Sequence, residues 1–261
     1  VDAPNLSATA AIEHADGGSK MTRNLLMAAS AALLLSVSAA HAAPPANVVT
    51  AVADASRPEA DKARDAARKP AEILTFAGVK SGDKVVELLP GGGYFTRVLS
   101  AAVGPTGKVY AAVPAGDVEK TKAALQKGNV EVVTLDAKDF KTPEPVDVMF
   151  TAQNYHDFHL KQLALDVPAV NKTLYNTIKP GGMLLIIDHT AVTGAPIEVA
   201  DSLHRIDPAI VKREVESAGF KFVGEDNAIR NPADDKSVNV FDPKIRGKTD
   251  QFVYKFQKPK A

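Results

Sequence analysis

From residue 84 onward, short apolar runs alternate along the chain with longer amphipathic stretches. The apolar runs predict strands at 84–88, 108–113, 130–135, 146–151 and 183–188. Apolar residues at helical spacing predict helices at 94–103, 118–127, 160–178 and 208–218, with Pro168 as a possible interruption of the third. Short strands alternating with helices indicate a parallel sheet covered by helices on both faces.

The C-terminal part has a different pattern. A short apolar run at 220–224 is followed by a long polar connection and then by residues 251–257, in which aromatic side chains alternate with polar ones. This alternation predicts an antiparallel hairpin added to the parallel sheet. The connection, 226–250, is longer than ordinary loops, which favours either a functional role, such as a lid, or partial disorder.

The segment before the first strand predicts a helical cap. Two prolines open an extended linker at 43–55, and a serine followed three residues later by a glutamate at 56–59 has the pattern of a capping box. A helix is therefore expected through Arg68, and Pro70 begins a second one. We assign residues 56–261 to one globular domain.

Residues 21–42 have the pattern of an export signal. Met21 and Arg23 precede an apolar run at 25–37, and small residues lead to Ala42. A basic start, a short apolar stretch and an A-x-A site are typical of a signal peptide, so we expect cleavage after Ala42 and an exported, periplasmic protein. The alternative, an uncleaved anchor, would need roughly 20 apolar residues. Residues 1–20 are interpreted as an upstream extension outside the mature protein.

Composition narrows the chemistry. The 261 residues include 31 basic and 31 acidic side chains and no cysteine. The absence of cysteine excludes disulfides, thiolate metal sites and cysteine nucleophiles. Balanced charge gives no global field for nucleic acid or anionic membranes, so a small-molecule partner is expected, with no nucleic acid and no stable membrane insertion.

The strongest local motif is a glycine loop, residues 89–93, which follows the first predicted strand. That strand ends near Glu87, and the loop leads directly into a helix. Glycines allow close approach of a ligand to the backbone, and a helix N-terminus favours anions, although packing alone also produces such turns. A dinucleotide site would need a third glycine where Thr96 stands and an acid after the second strand, which instead ends in Val113 and Pro114. Nicotinamide binding is therefore disfavoured.

The same segment resembles motif I of class I S-adenosylmethionine-dependent methyltransferases. Further segments follow in that family's order: LDA at 135–137, VDVMF at 146–150 and KPGG at 179–182. More narrowly, the chain resembles a family of exported bacterial proteins described as predicted methyltransferases. The segments that carry this resemblance are PGGGY at 90–94, NYHD at 154–157, DH at 188–189, LHRID at 203–207 and FDP at 241–243.

The resemblance implies a Rossmann-like α/β fold with a mostly parallel seven-stranded sheet and an antiparallel last strand. It implies S-adenosylmethionine as the cofactor. The expected cofactor-binding residues are Glu87, Gly91, Gly92, Gly93, Asp136, Ala137 and Asn154. Two departures from the family pattern are Leu89, at the usual position of a first glycine, and the lack of a ribose-binding acid after the second strand.

Histidines concentrate where the carboxyl ends of the predicted strands meet. His156 and His159 follow the fourth strand and His189 ends the fifth. Ligands bind at this edge in open parallel sheets, so His156, Asp157 and His189 are the predicted catalytic residues. A His/Asp base could take a proton from the acceptor during in-line methyl transfer.

An alternative function uses the same histidines. With the nearby carboxylates they could bind Zn, Mn or Fe(II), although no tight ligand motif such as H-E-x-x-H is present, so no metal site is assigned. The alternative is an exported, non-catalytic ligand-binding or metal-binding protein that has kept the methyltransferase fold.

Overall fold

A computed structural model describes residues 43–126 and 128–260. One seven-stranded sheet forms the centre of this part of the chain. Its strands are β1 (Lys84–Leu88), β2 (Lys108–Val113), β3 (Val130–Thr134), β4 (Val146–Ala152), β5 (Ile178–His189), β6 (Lys221–Asp226) and β7 (Gln251–Gln257). Their spatial order is β3-β2-β1-β4-β5-β7-β6. The first five strands are parallel, and β7 pairs antiparallel with both β5 and β6, as the sequence predicts.

Both faces of the sheet are buried, and successive side chains of a strand point to opposite faces. Val85 contributes to a core shared with the cap and with Phe95, whereas its neighbour Val86 contributes to a core on the other face with Leu174 and Val211. The central strands therefore need apolar residues at every position, which explains their continuous apolar runs.

Helices cover these two faces. They are α1 (Ala46–Val52), α2 (Glu59–Lys62), α3 (Asp65–Arg68), α4 (Pro70–Ala77), α5 (Tyr94–Val103), α6 (Val118–Leu125), α7 (Val167–Thr177), α8 (Val199–Leu203) and α9 (Pro208–Ser217). Short 3₁₀ helices occur at Ala115–Asp117, His156–His159 and Lys161–Leu163. No helix within the described ranges has the length and apolarity needed to cross a membrane. The predicted signal peptide and the upstream extension lie outside the described residues.

The single helix predicted at 160–178 begins seven residues too early, whereas its predicted end lies one residue from the end of α7. Two short 3₁₀ helices come first, and α7 begins only at Val167, where the Asp166 side chain accepts a hydrogen bond from the Ala169 N–H at 3.1 Å. Pro168 lies in the first turn, where its missing N–H costs no helical hydrogen bond. At the other end β5 begins at Ile178, five residues earlier than expected.

The N-terminal segment also differs from the prediction. Residues 43–55 are not an extended linker, because α1 buries Val48 against the core. The Ser56 side chain does not cap a helix; its backbone N–H instead binds the Asp54 carboxylate at 2.8 Å. The helix expected through Arg68 is split into α2 and α3, and the left-handed Lys69 ends α3 immediately before α4.

The long connection at 226–250 is ordered by buried ion pairs, so the expectation of partial disorder is wrong. Arg205 is fully buried, and its guanidinium binds the Asp234 carboxylate at 2.8 and 3.1 Å. Asp250 accepts from the Arg230 side chain at 2.8 Å. The connection is thereby held against β5 and its following loop, with Phe241 near the carboxyl edge of the sheet.

Breaking the buried pair should therefore destabilise the fold strongly. We expect Asp234→Ala to lower the free energy of unfolding by about 3–5 kcal/mol, because it leaves the Arg205 charge buried without a partner. Urea denaturation measures this change. The exposed neighbouring variant Asp235→Ala should stay within about 0.5 kcal/mol of the unsubstituted chain. Equal effects of the two variants would contradict a structural role for the pair.

Candidate functional site

The candidate site is a cleft at the carboxyl ends of the parallel strands. It consists of two adjoining cavities. The first, of about 340 Å³, is lined by the glycine loop, by Glu87 and by the segment after β4 that carries His156. The second, of about 470 Å³, lies toward β7 and the connection at 226–250. The side chains that line both cavities include Arg64, Arg68, Phe95, Gln153, His189 and Phe241.

The glycine loop has an open backbone on the side of the first cavity. A Cβ atom added at Gly91 or Gly92 would meet no atom within 4 Å, so space is available beside the loop. A Cβ at Gly93 would overlap Leu125, which makes that glycine a packing requirement. Leu89 has a φ of +52°, a left-handed backbone conformation that residues other than glycine rarely adopt. The loop thus has a glycine-like backbone at a position occupied by leucine.

Glu87 lies beneath this loop at the end of β1. It is buried, and its carboxylate accepts a hydrogen bond from the Thr96 hydroxyl of α5 at 2.5 Å. Burial raises the pKa of Glu87 to about 7, although the Thr96 hydrogen bond opposes this rise. Asn154 connects the loop to β4, since its side-chain amide donates to the carbonyls of Leu89 at 3.3 Å and Ala152 at 2.7 Å.

Another part of the wall of the first cavity is a histidine cluster, formed by His156, His189 and His204 with Asp157. Asp188, fully buried at the end of β5, accepts the His156 backbone N–H at 2.7 Å and lies 2.8 Å from the His156 Nδ1. The other ring nitrogen of His156, Nε2, lies 3.2 Å from His204 Nδ1 and 3.2 Å from an Asp157 oxygen. His189 is bound differently, with its Nδ1 at 2.7 Å from the Thr249 hydroxyl.

The surroundings give these histidines different charges. Burial by itself would lower the pKa of His156, but the carboxylates of Asp188 and Asp157 more than offset burial and raise it above its ordinary value. Burial lowers the pKa of His189 to about 4, so this ring is neutral near pH 7. Burial, followed by the charge of His156, also lowers the pKa of His204. Of these three rings, His156 is the one whose pKa is raised above its ordinary value.

Most of the predicted site residues meet in the first cavity. The residues that border it are Glu87, Gly91, Gly92, Asn154, His156, Asp157 and His189. Gly93, also predicted to bind the cofactor, is not among them and packs against Leu125 instead. Asp136 and Ala137, the predicted adenine contacts, are not among its lining residues. Asp136 is exposed after β3, where its carboxylate accepts the Lys138 N–H at 2.8 Å.

Sequence reasoning missed several residues of the cleft. The charges of Arg64 and Arg68 on the cap predict only a solvated helix face, yet both arginines line the two cavities. The role of Asp188 as the partner of His156 Nδ1 was also missed, although its place at a strand end was a usable signal. His204 had no such signal, because a long loop and a short helix bring it to the cluster.

Backbone strain is concentrated in the same place. Among the described residues, six that are not glycine have a positive φ, and three of these, Leu89, Gln153 and His204, line the first cavity. Such conformations cost of order 1–3 kcal/mol and tend to cluster at functional sites. Their distribution supports the cleft as the functional site.

The cap is fixed to the start of α5 by charged hydrogen bonds. Arg57 makes a bidentate contact with Asp65 at 2.8 and 2.6 Å, and the Tyr94 hydroxyl donates to the same carboxylate at 2.6 Å. Arg97 binds Asp61 at 2.6 Å and the Gly92 carbonyl at 2.8 Å. These contacts position the cap directly beside the glycine loop.

Comparisons with known proteins agree with this fold. No protein family profile matches the chain. A ubiquinone/menaquinone biosynthesis C-methyltransferase, UbiE, from Saccharophagus degradans is 29% identical over 140 residues, covering 49% of this chain and 51% of that protein. The corresponding protein of Cronobacter sakazakii is 26% identical, covering 64% of this chain and 67% of that protein. The chain spans about half the length of most of the curated relatives it matches.

Solved structures show the same architecture. A S-adenosylmethionine-dependent methyltransferase from Aquifex aeolicus superposes with a TM-score of 0.54 and 24% identity, covering 77% of this chain and 98% of that one. A second, from Mesorhizobium loti, has a TM-score of 0.52 and 13% identity, covering 74% and 99%. The chain therefore has the Rossmann-like fold of S-adenosylmethionine-dependent methyltransferases.

The buried Glu87 carboxyl should make stability depend on pH. The pKa of Glu87 in the folded chain, about 7, lies above its ordinary value of 4.5. The free energy of unfolding is therefore highest below pH 4.5, where the carboxyl is neutral in both states, and falls as pH rises through 7. We expect Glu87→Gln to gain about 3 kcal/mol relative to the unsubstituted chain between pH 4.5 and 8. Urea denaturation across this range tests the expectation. The exposed variant Glu216→Gln is the control, and parallel pH profiles for all three proteins would contradict it.

Proposed function

We propose that this chain is a S-adenosylmethionine-dependent methyltransferase that acts on a small-molecule acceptor. One observation carries the proposal: the open backbone at Gly91 and Gly92 and the proton-exchanging ring of His156 border the same cavity, in a fold shared with methyltransferases of this cofactor. A place for the cofactor thus lies beside a group able to take a proton from an acceptor.

The residues of the first cavity fit the cofactor in part. Gly91 and Gly92 leave room for a ligand against the backbone, and Asn154 holds the shape of the loop. Asp136 and Ala137, which the resemblance implies as the adenine contacts, are not among the residues that line this cavity. When bound, S-adenosylmethionine supplies a methyl group on a positively charged sulfonium, ready for in-line displacement.

His156 is the proposed general base. The ionised Asp188 accepts a hydrogen bond from the protonated Nδ1, which fixes the ring. Nε2, which lies beside His204 Nδ1 and Asp157, is then the nitrogen that takes a proton from an acceptor hydroxyl or amine. Asp157, 3.2 Å from Nε2, stabilises the imidazolium that forms. The rest of the rate acceleration comes from positioning the acceptor beside the loop, because in-line methyl transfer depends mainly on the alignment of the reacting atoms.

The acceptor is proposed only as a class. The curated relatives are named for C-methylation in ubiquinone or menaquinone biosynthesis, and the match covers about half of most of them. A small molecule in the cleft is consistent with the cavity volumes of about 340 and 470 Å³.

We also propose export after cleavage at Ala42, which mass spectrometry of the periplasmic protein would test by its first residue.

Cofactor binding is tested most sharply at Gly92. This residue has space at its Cβ position and no left-handed backbone, so larger side chains should fill the space beside the glycine loop without backbone strain. We expect Gly92→Ala and Gly92→Val to weaken S-adenosylhomocysteine binding progressively, with at least a tenfold loss for valine, while the free energy of unfolding changes by less than about 1 kcal/mol. Calorimetry measures the affinity. Absence of binding by the unsubstituted, folded chain at millimolar ligand would overturn the proposal.

The proposed base makes activity depend on pH in a defined direction. Because only neutral His156 accepts a proton, kcat should rise with pH through a pKa above the ordinary value of 6.5. Asp188→Asn removes the carboxylate that raises this pKa, so the profile should move to lower pH. His156→Ala should lower kcat about 10²–10⁴-fold with little loss of cofactor affinity. His159→Gln, a histidine bound to Glu214 outside the cleft, is the matched control. An unchanged profile in His156→Ala would exclude this base.

A second candidate function has a specific observation in its favour. His156 Nε2, Asp157 Oδ1 and His204 Nδ1 lie 3.2 to 3.9 Å from one another. Ligands about 2.1 Å from zinc in tetrahedral geometry are separated by roughly 3.4 Å, so this set fits a metal with one open position. Asp188 on the far nitrogen of His156 matches the usual carboxylate partner of a metal-bound histidine. This arrangement favours the exported metal-binding alternative.

Zinc uptake separates the two candidates. If the cluster is a metal site, equilibrium dialysis should give one Zn²⁺ per chain, and His204→Ala should weaken binding about 10- to 100-fold. His159→Gln serves again as the control. Zinc binding that is absent, or equal in all three proteins, would rule out this second candidate.

A further inference from the structure

The second cavity has an unusual balance of charge. Three arginine side chains line it, Arg64 and Arg68 from the cap and Arg246 from the connection at 226–250. No aspartate or glutamate is among its lining residues. Its polar groups besides these arginines include the amides of Gln153 and Gln251. A cavity with this lining attracts an anion.

These arginines also differ from the paired arginines of the fold. Arg57, Arg97, Arg205 and Arg230 each bind a carboxylate within 3 Å. Within residues 43–126 and 128–260, the three cavity arginines have no carboxylate within 4 Å. Their charges are therefore not used to hold the fold together by ion pairing.

Arg68 has the most constrained position of the three. It is half-buried, its guanidinium lies 4.8 and 5.2 Å from the ring centroids of Tyr94 and Phe95, and its Nη2 donates to the Gln153 side chain at 2.8 Å. Removing a guanidinium from water is unfavourable unless an anion compensates it. Consistent with this cost, burial, followed by the charge of Arg64, lowers the pKa of Arg68 to about 10.

The wall also has an apolar part. Phe95, Ile187, Ile229 and Val240 line the cavity, and Phe241 is 55% exposed at its border. The Phe241 ring lies 4.9 Å from the His204 ring and 5.7 Å from the Arg246 guanidinium. An exposed aromatic ring between a cation and the histidine cluster suits a ligand with an apolar body and a charged end.

We infer that the cleft takes a small organic acid as its methyl acceptor, with its carboxylate on the arginines and a hydroxyl or amine at the far end of its apolar body beside His156. With the cofactor bound, that oxygen or nitrogen would form its bond to the methyl group as the bond from the methyl group to the sulfonium sulfur breaks, and His156 would take the displaced proton. A planar guanidinium matches a carboxylate in a bidentate contact, which favours a carboxylate over a neutral polar group. The two cavities share Gln153 and His189, so one molecule can reach from the arginines to the histidine cluster. The role as acceptor rests on the proposed methyltransferase function.

The arginines could alternatively hold the carboxylate of the cofactor, and Arg246 separates the two cases. Arg64 and Arg68 line both cavities, whereas Arg246 lines only the second, away from the glycine loop. Loss of Arg246 should therefore weaken an acid in the second cavity without affecting a ligand on the loop.

Paired acid and amide probes test the inference on the full chain. We expect phenylacetate to bind at least tenfold more tightly than phenylacetamide, and hexanoate more tightly than hexanamide, in calorimetric titrations at low salt. Arg68→Gln should weaken phenylacetate about tenfold, because one charge-assisted hydrogen bond is lost, and Arg246→Gln about threefold. Neither variant should change phenylacetamide binding. Arg213→Gln, an exposed arginine on α9, is the matched control.

S-adenosylhomocysteine is titrated into the same variants. Its affinity should stay within twofold in Arg246→Gln. The inference is overturned if acid and amide bind equally in both pairs, or if no probe binds. It is also overturned if Arg246→Gln lowers the affinities for phenylacetate and S-adenosylhomocysteine equally. Failure of S-adenosylhomocysteine to bind the unsubstituted chain, with the acid preference intact, would contradict the methyltransferase function and leave the anion site standing.

Discussion

The buried carboxylate of Asp188 is the constraint on which the candidate site depends. A charge taken out of water at the end of a central strand must be matched by donors, and here the donors are the backbone N–H groups of His156 and His189, both at 2.7 Å, and the His156 ring. Burial by itself would raise the pKa of Asp188, but His156 more than offsets it, so the carboxylate stays ionised. One side chain thus fixes the turn after β4 and the orientation of the proposed base.

The cap supplies a second constraint of the same kind. Tyr94, the first residue of α5, is tied to Asp65 of the cap, while Arg97, one turn later, reaches both Asp61 and the Gly92 carbonyl. The glycine loop is therefore held between the sheet and the cap. Because the cap lies against this loop, its other arginines face the cleft, and a segment that packs for stability also sets the charge of the binding site.

The sequence alone was sufficient to predict those site residues whose position along a strand decides their position in the fold. His156 and His189 were predicted because the carboxyl ends of parallel strands meet at one edge of the sheet. Glu87 and Asn154 were implied by the resemblance to methyltransferases. Arg68 was not predicted, since its charge alone does not distinguish a solvated helix face from a cavity wall. The capping box at Ser56 failed for a related reason: local hydrogen-bond patterns compete, and packing of α1 and the cap against the core selected a different one.

The two departures from the methyltransferase sequence pattern have different physical meanings. Leu89 keeps the left-handed backbone that a glycine would adopt, and its N–H still binds the Ala112 carbonyl of β2 at 2.9 Å. The chain tolerates a strain of order 1–3 kcal/mol at this position, and the shape of the loop survives the change of residue. The missing acid after β2 has no such compensation in the cleft, where the carboxylates belong to Glu87 and the histidine cluster. Among the residues that line the cleft, the open backbone at Gly91 and Gly92 is therefore the part of the methyltransferase pattern that is kept.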